Sequence, residues 1–183
     1  DLIALSFVQS ADDIREAKKL IKTAGEDVPV FAKIEKSSAL ENIEDIILEA
    51  DGLMIARGDL GVEMGPYVIP VIQKQIIAKA REKGLPVIIA TQMLMSMVAS
   101  PYPTRAEVSD IANAVLDGAD AVMLSDETTV GDFPEEAVKV ISATINETEK
   151  YYPRYREVVE MRDNRKAMAA AAVALSQRIE VSA

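Results

Sequence analysis

Two carboxylates and one lysine end two consecutive apolar runs in this chain. The first run is Val28-Pro-Val-Phe-Ala-Lys33-Ile-Glu35 and the second is Gly52-Leu-Met-Ile-Ala-Arg57-Gly58-Asp59-Leu-Gly61. In a strand, residues two apart share a face, so Lys33 points into the same space as Glu35. Glu35 and Asp59 together suit a hard divalent cation, Mg²⁺ or Mn²⁺, whose remaining positions go to water and substrate oxygens. A cation, an ammonium and backbone amides exposed by glycine make a site for an anion that gains charge during reaction. Each residue alone also has a plainer reading: a helix cap or surface pair for the acids, a lysine at a strand end with its ammonium in water for Lys33. A lysine that forms a Schiff base is the competing chemical reading.

Thr91, in Ala90-Thr91-Gln92-Met93, and Ser125, in Leu124-Ser125-Asp126-Glu127, end two later apolar runs. A single hydroxyl at such a place is most often a cap. Two on one rim, with Glu127 beside the second, could hold a carboxylate and order a water that carries a proton. The methionines from Met93 to Met97 read as packing. Arg105, Asp110 and Asn113 read as the solvated side of an amphipathic helix.

Composition narrows the chemistry. The chain has 183 residues, is 49% hydrophobic and carries a formal net charge of −10. A chain this apolar can bury a core. Its acidity and lack of a basic run argue against nucleic acid and anionic membranes as partners. It has no cysteine and no histidine. Acid–base work therefore falls to carboxylates, lysine, hydroxyls or water, and thiolate metal sites are excluded. No stretch reads as a membrane span or signal peptide, so a cytoplasmic location is the expectation.

The elements that must position these residues alternate. Strands are expected at Leu2–Phe7, Val28–Glu35, Gly52–Arg57, Val87–Thr91 and Ala121–Ser125. Helices are expected between them. One starts at a capping box of Ser10 and Asp13 and stops before Gly25. A second starts at a box of Ser38 and Glu41 and ends near Ala50. Others run from about Pro70 to Lys83, from a box of Thr104 and Glu107 to Asp117, and from Pro134, a first-turn proline, to about Lys150. Short, continuously apolar strands alternating with helices predict a parallel α/β fold. Polar and glycine-bearing residues gather after the strands, which favours a partial TIM (β/α)₈ barrel with five parallel βα units. A doubly wound sheet is the weaker alternative, since the glycine fingerprint after the first strand is absent. The expected domains are a partial barrel over 1–152, a linker over 153–166 and the start of a further domain over 167–183.

Taken together, the strings Ala32-Lys33-Ile34-Glu35, Ala56-Arg57-Gly58-Asp59-Leu60-Gly61-Val62-Glu63, Ala90-Thr91-Gln92-Met93-Leu94, Pro103-Thr104-Arg105-Ala106-Glu107 and Met123-Leu124-Ser125 closely resemble the pyruvate kinase family in order and spacing. The resemblance covers nearly the whole chain and corresponds to that family's barrel from its fourth strand to its eighth. It implies phosphoryl transfer from phosphoenolpyruvate to ADP, giving pyruvate and ATP, in glycolysis. Lys33 would stabilise the phosphoryl group and the enolate. Glu35 and Asp59 would hold Mg²⁺ or Mn²⁺. The Gly58 and Asp59 amides and the Thr91 hydroxyl would hold the substrate carboxylate. Ser125 and Glu127 would belong to a proton-carrying water relay, and Ser6 would neighbour a K⁺ site. The helix after Thr104 would lie near a subunit contact, which implies a homo-oligomer.

The chain departs from the family pattern at three places. Asp126 stands where glycine is usual, Met95 where glutamate is common and Tyr102 where arginine is common. The first three barrel strands and most of a C-terminal domain have no counterpart in this sequence. The expectation is accordingly a fragment, inactive alone, with sheet edges open to association. Two other readings remain: a metal-dependent carbon–carbon lyase working through an enolate, and a non-catalytic barrel fragment.

Overall fold

The structure is a computed structural model and describes residues 1–151. The expected linker over 153–166 and domain start over 167–183 lie outside the described residues.

Five strands form one sheet in the order β1-β2-β3-β4-β5, and every neighbouring pair is parallel. They are β1 (Ile3–Leu5), β2 (Val30–Ile34), β3 (Gly52–Ala56), β4 (Val87–Ala90) and β5 (Ala121–Met123). Sequential order without reversal is what a barrel requires and a doubly wound sheet lacks. Each strand stops one or two residues earlier than the sequence suggests, so Glu35, Thr91 and Ser125 lie just past strand ends.

Alternation sorts the strand residues. Val30, Ala32, Ile34, Leu53, Ile55, Val87 and Ile89 pack into the main core with Ile14, Ile46, Ile77, Ile111 and Ile141 from the helices. Phe31, Lys33, Gly52, Met54 and Ile88 have the opposite parity and face the other side. There the Phe31 ring lies over Gly52, its register partner, in the space a Cβ would fill.

The strand entrances repeat a device. Asp51, just before β3, accepts from the Val30 amide at 2.8 Å and donates its own amide to Val30 O at 3.0 Å. Asp120, just before β5, does the same with Val87 at 2.8 and 2.9 Å. Each aspartate thus joins the start of its strand to the start of the preceding one.

The helices are α1 (Ala11–Thr23), α2 (Ser37–Glu41), α3 (Ile43–Glu49), α4 (Arg57–Met64), α5 (Ile69–Glu82), α6 (Arg105–Asp117), α7 (Asp126–Thr129) and α8 (Pro134–Glu149), with a 3₁₀ turn at Met95–Val98. The capping boxes at Ser10/Asp13 and Thr104/Glu107 are both present. The box expected at Ser38 and Glu41 is not. Lys36 occupies the cap position, and the helix breaks at Asn42. The Asn42 side-chain amide donates to Gln9 O and Ser38 O, a local bond that competes with helix continuation. Of the methionines expected to pack, Met93 and Met97 are fully buried, but Met95 is 48% exposed.

The larger surprise is α4. Gly58 and Gly61 suggest a loop, yet the chain turns helical at Arg57 and runs until Gly65, whose φ of 87° ends it. Glycine's low helix propensity is overridden here by tertiary ties. Arg57 is buried, and Lys36 Nζ holds Glu63 at 2.7 Å near the other end.

Candidate active site

In a parallel sheet all strand ends of one kind share one rim. Ser6 follows β1 by one residue, Glu35 follows β2 by one, Asp59 follows β3 by three, Thr91 follows β4 by one and Ser125 follows β5 by two. Lys33 lies near the end of β2 itself.

The first group forms around Glu35, which is 1% exposed. Lys33 Nζ lies 2.7 Å from Glu35 Oε1. The same ammonium donates to Ser6 Oγ at 2.9 Å. The Phe7 amide donates to Glu35 Oε2 at 2.7 Å, with Phe7 at a φ of 57°. Each Glu35 oxygen therefore has one partner among the described residues and a further lone pair. Asp59 sits in the first turn of α4, where the helix dipole favours a negative charge. It is exposed, and its carboxylate makes no hydrogen bond or ion pair among the described residues. Lys36 neighbours both acids. Its hydrogen bond to Glu63 is the main cause that raises the ammonium above its ordinary value, and the charges of Asp59 and Glu35 add to it.

This donor set fits a divalent ion that keeps water and substrate oxygens in its shell. Among the described residues no group of three or more acidic side chains gathers into a cage. One or two carboxylates, with water and substrate oxygens, are a donor set that Mg²⁺ accepts.

The second group joins β3 and β4. The Gly58 amide donates to Thr91 Oγ1 at 2.8 Å. Thr91 and Gln92 have φ values of 68° and 56°, a left-handed turn built without glycine. Arg57 Nη2 donates to Thr91 O and to Gln92 O, each at 3.0 Å, and Nε reaches Thr91 O at 3.3 Å. Arg57 Nη1 lies 2.6 Å from Asp110 Oδ2. The sequence placed Asp110 on a solvated helix side. Its side chain is 38% exposed, and it is also the counterion of a buried arginine, while Arg105 and Asn113 of the same helix are exposed. Sequence reasoning missed Arg57 and Asp110, and no local pattern marks them, since their partners lie 34 and 53 residues apart in the chain.

The third group is Glu127, 1% exposed, with Ser125. Glu127 accepts from the Leu94 amide at 2.9 Å and from the Ser125 amide at 2.8 Å. Both its oxygens are thus engaged by backbone, and it ties the start of α7 to the segment after β4. The Ser125 hydroxyl makes no hydrogen bond among the described residues. Asp126, beside it, is exposed at the first position of α7.

Comparison with known proteins gives one answer. The family description "Pyruvate kinase, barrel domain" matches residues 1–138. A protein named pyruvate kinase 2 from Synechocystis is 58% identical over 142 residues, 78% of this chain and 24% of the relative. The pyruvate kinase of Thermotoga maritima is 49% identical over 158 residues, 86% of this chain and 34% of the relative. A crystal structure of a pyruvate kinase from Cryptosporidium parvum superposes with a TM-score of 0.90 at 39% identity, over 99% of this chain and 40% of that one. The chain spans about a quarter to two fifths of the length of these relatives.

Proposed function

The chain belongs to the pyruvate kinase family, and on that premise we propose that its protein transfers the phosphoryl group of phosphoenolpyruvate to ADP, giving pyruvate and ATP. The fold is α/β, part of that family's barrel. The observation that carries the proposal is the Lys33–Glu35 pair, buried on one side and 2.7 Å across, with the unpaired Asp59 on the same rim.

In-line phosphoryl transfer asks a protein for position and charge rather than covalent help. Lys33 supplies a fixed ammonium whose orientation is set by Ser6 and Glu35. It faces the phosphoryl oxygens and, after transfer, the enolate oxygen. The Asp59 amide, at the positive end of α4, receives the substrate carboxylate; the Gly58 amide, expected from the sequence to share that task, is given to the Thr91 hydroxyl instead. Thr91 keeps its own proton to donate to that carboxylate, because its oxygen accepts from Gly58. Ser125 offers its hydroxyl to the water that protonates the enol carbon. Glu127 holds the Ser125 backbone in place for this. Mg²⁺ or Mn²⁺, held by Glu35 and Asp59, supplies neutralising charge for substrate oxygens when bound. For K⁺ the reading assigns Ser6 as a neighbour.

The proposal extends to a role in glycolysis, a homo-oligomeric assembly through the α6 region and a cytoplasmic location. It also takes 1–152 as barrel, 153–166 as a linker and 167–183 as the start of a C-terminal domain. No helix among the described residues is long and apolar enough to cross a membrane.

The test uses a full-length pyruvate kinase carrying this segment, with phosphoenolpyruvate, ADP and Mg²⁺. ATP and pyruvate should form in equal amounts. Enolate chemistry on the substrate without ATP would favour the lyase reading instead.

A further inference from the structure

Thr91 is held at both ends by consecutive residues of α4. Its hydroxyl oxygen accepts from the Gly58 amide at 2.8 Å, and its carbonyl accepts from Arg57 at 3.0 Å. The backbone between these ties is disfavoured. Threonine is branched at Cβ, and a φ of 68° brings that branch against its own backbone. Gln92 follows at 56°, so two successive residues without the freedom of glycine adopt left-handed geometry. Such a turn persists only where its surroundings over-determine it.

Arg57 is the residue placed to do that. Its planar fork spans the Thr91 and Gln92 carbonyls, the very groups that the left-handed turn redirects. Gln73 Oε1 at 3.5 Å and Asp110 Oδ2 at 2.6 Å occupy its Nη1 edge. Arg57 is 6% exposed, and Asp110 on α6 neutralises its charge. A lysine could not reproduce this, since one ammonium cannot bridge two carbonyls and a carboxylate in a plane.

We infer that Arg57 is a positioning residue for substrate binding. It fixes the Thr91–Gln92 turn so that the Thr91 hydroxyl stays registered against the Gly58 amide, and Asp110 holds Arg57 in the orientation that does this. The inference rests on the proposed carboxylate-binding role of Thr91, and deepens it. Arg57 itself touches no substrate in this account.

The test is made in a full-length pyruvate kinase carrying this segment, with Arg57→Lys and, separately, Asp110→Asn. Hydrogen exchange resolved to the Gly58 amide reports on its bond to Thr91 without any reference to activity. Exchange there should quicken about tenfold in Arg57→Lys. The KM for phosphoenolpyruvate should rise about tenfold, with kcat changed by less than about threefold, because a contact made equally in ground and transition states is lost. Asp110→Asn keeps the arginine and should shift both readings the same way by a smaller factor, which preserves the test if Arg57→Lys fails to fold. Unchanged Gly58 exchange in the folded variants would overturn the inference, whatever happens to KM. Faster exchange with unchanged KM would overturn the inferred link to substrate binding and remove Thr91 from the carboxylate site.

Discussion

Lys33 Nζ, near the end of β2, and Glu35 Oε1, one residue past it, lie 2.7 Å apart on one side of the sheet, the acid buried and the lysine a quarter exposed. Two residues of opposite charge, two positions apart, have been brought to the same side by the pleat alone. The acid cannot turn away, because the Phe7 amide holds its other oxygen. The lysine is steadied in turn by Ser6. One strand end therefore presents a fixed positive charge beside a fixed negative one, with Asp59 entering from the next unit.

Removing the acids should remove the metal response. In a full-length pyruvate kinase carrying this segment, Glu35→Gln with Asp59→Asn should weaken activation by Mg²⁺ at least about tenfold, since changes even outside the direct ligands cost that much. A Mg²⁺ titration of activity measures it. An unshifted midpoint would exclude the two residues as ligands.

Gly52 is needed for space. A Cβ there would enter the ring of Phe31, its partner across β2 and β3. Gly52→Ala should destabilise by about 1–3 kcal/mol, the usual cost of overpacking. Thermal unfolding should show this as a drop of several degrees. Shortening the ring, with Phe31→Leu in the same protein, should recover part of the loss. Equal unfolding temperatures for Gly52→Ala and the unaltered protein would show that the ring moves aside freely.

Glu107 makes stability sensitive to acid. Burial pushes its carboxyl up, but bonds from the Ser96 hydroxyl and amide and from the Thr104 amide and hydroxyl outweigh it and hold the group below its ordinary 4.5. The amide bonds are 2.7 and 2.8 Å long. A depressed carboxyl stabilises the fold fully above its unfolded value, and that contribution is lost as pH falls through the folded value. Glu107→Gln should therefore lower stability at neutral pH and flatten its decline below about pH 4.5. Urea unfolding across pH 3 to 7 is the measurement. Parallel curves for the two proteins would remove Glu107 from the acid response.

Much of this was legible because it is local. The parity of Lys33 and Glu35 follows from strand geometry, and the capping boxes at Ser10 and Thr104 need only residues three apart. The run of β-strands followed by polar residues was enough to expect a barrel rim. What was not legible depends on distant partners. Helix α4 forms across two glycines because Arg57 and Glu63 are tied to other elements. Asp110 looks solvent-facing on a helical wheel and is partly exposed, yet it also pairs with a buried arginine far away in sequence. The Ser38 box fails because the helix starts earlier, with Lys36 at the cap position, and then breaks at Asn42, whose side chain bonds Gln9 O and Ser38 O. Glu127, expected in a proton relay with Ser125, also accepts from the Leu94 and Ser125 amides, and the tie to Leu94 was not legible because it spans 33 residues.

The most direct test is Lys33→Met in a full-length pyruvate kinase carrying this segment, with turnover and phosphoenolpyruvate affinity measured separately. If the ammonium steadies charge that develops during transfer, kcat should fall by about 10²–10³ while affinity changes by only a few-fold. Turnover within about twofold of the unaltered enzyme would contradict that role for Lys33.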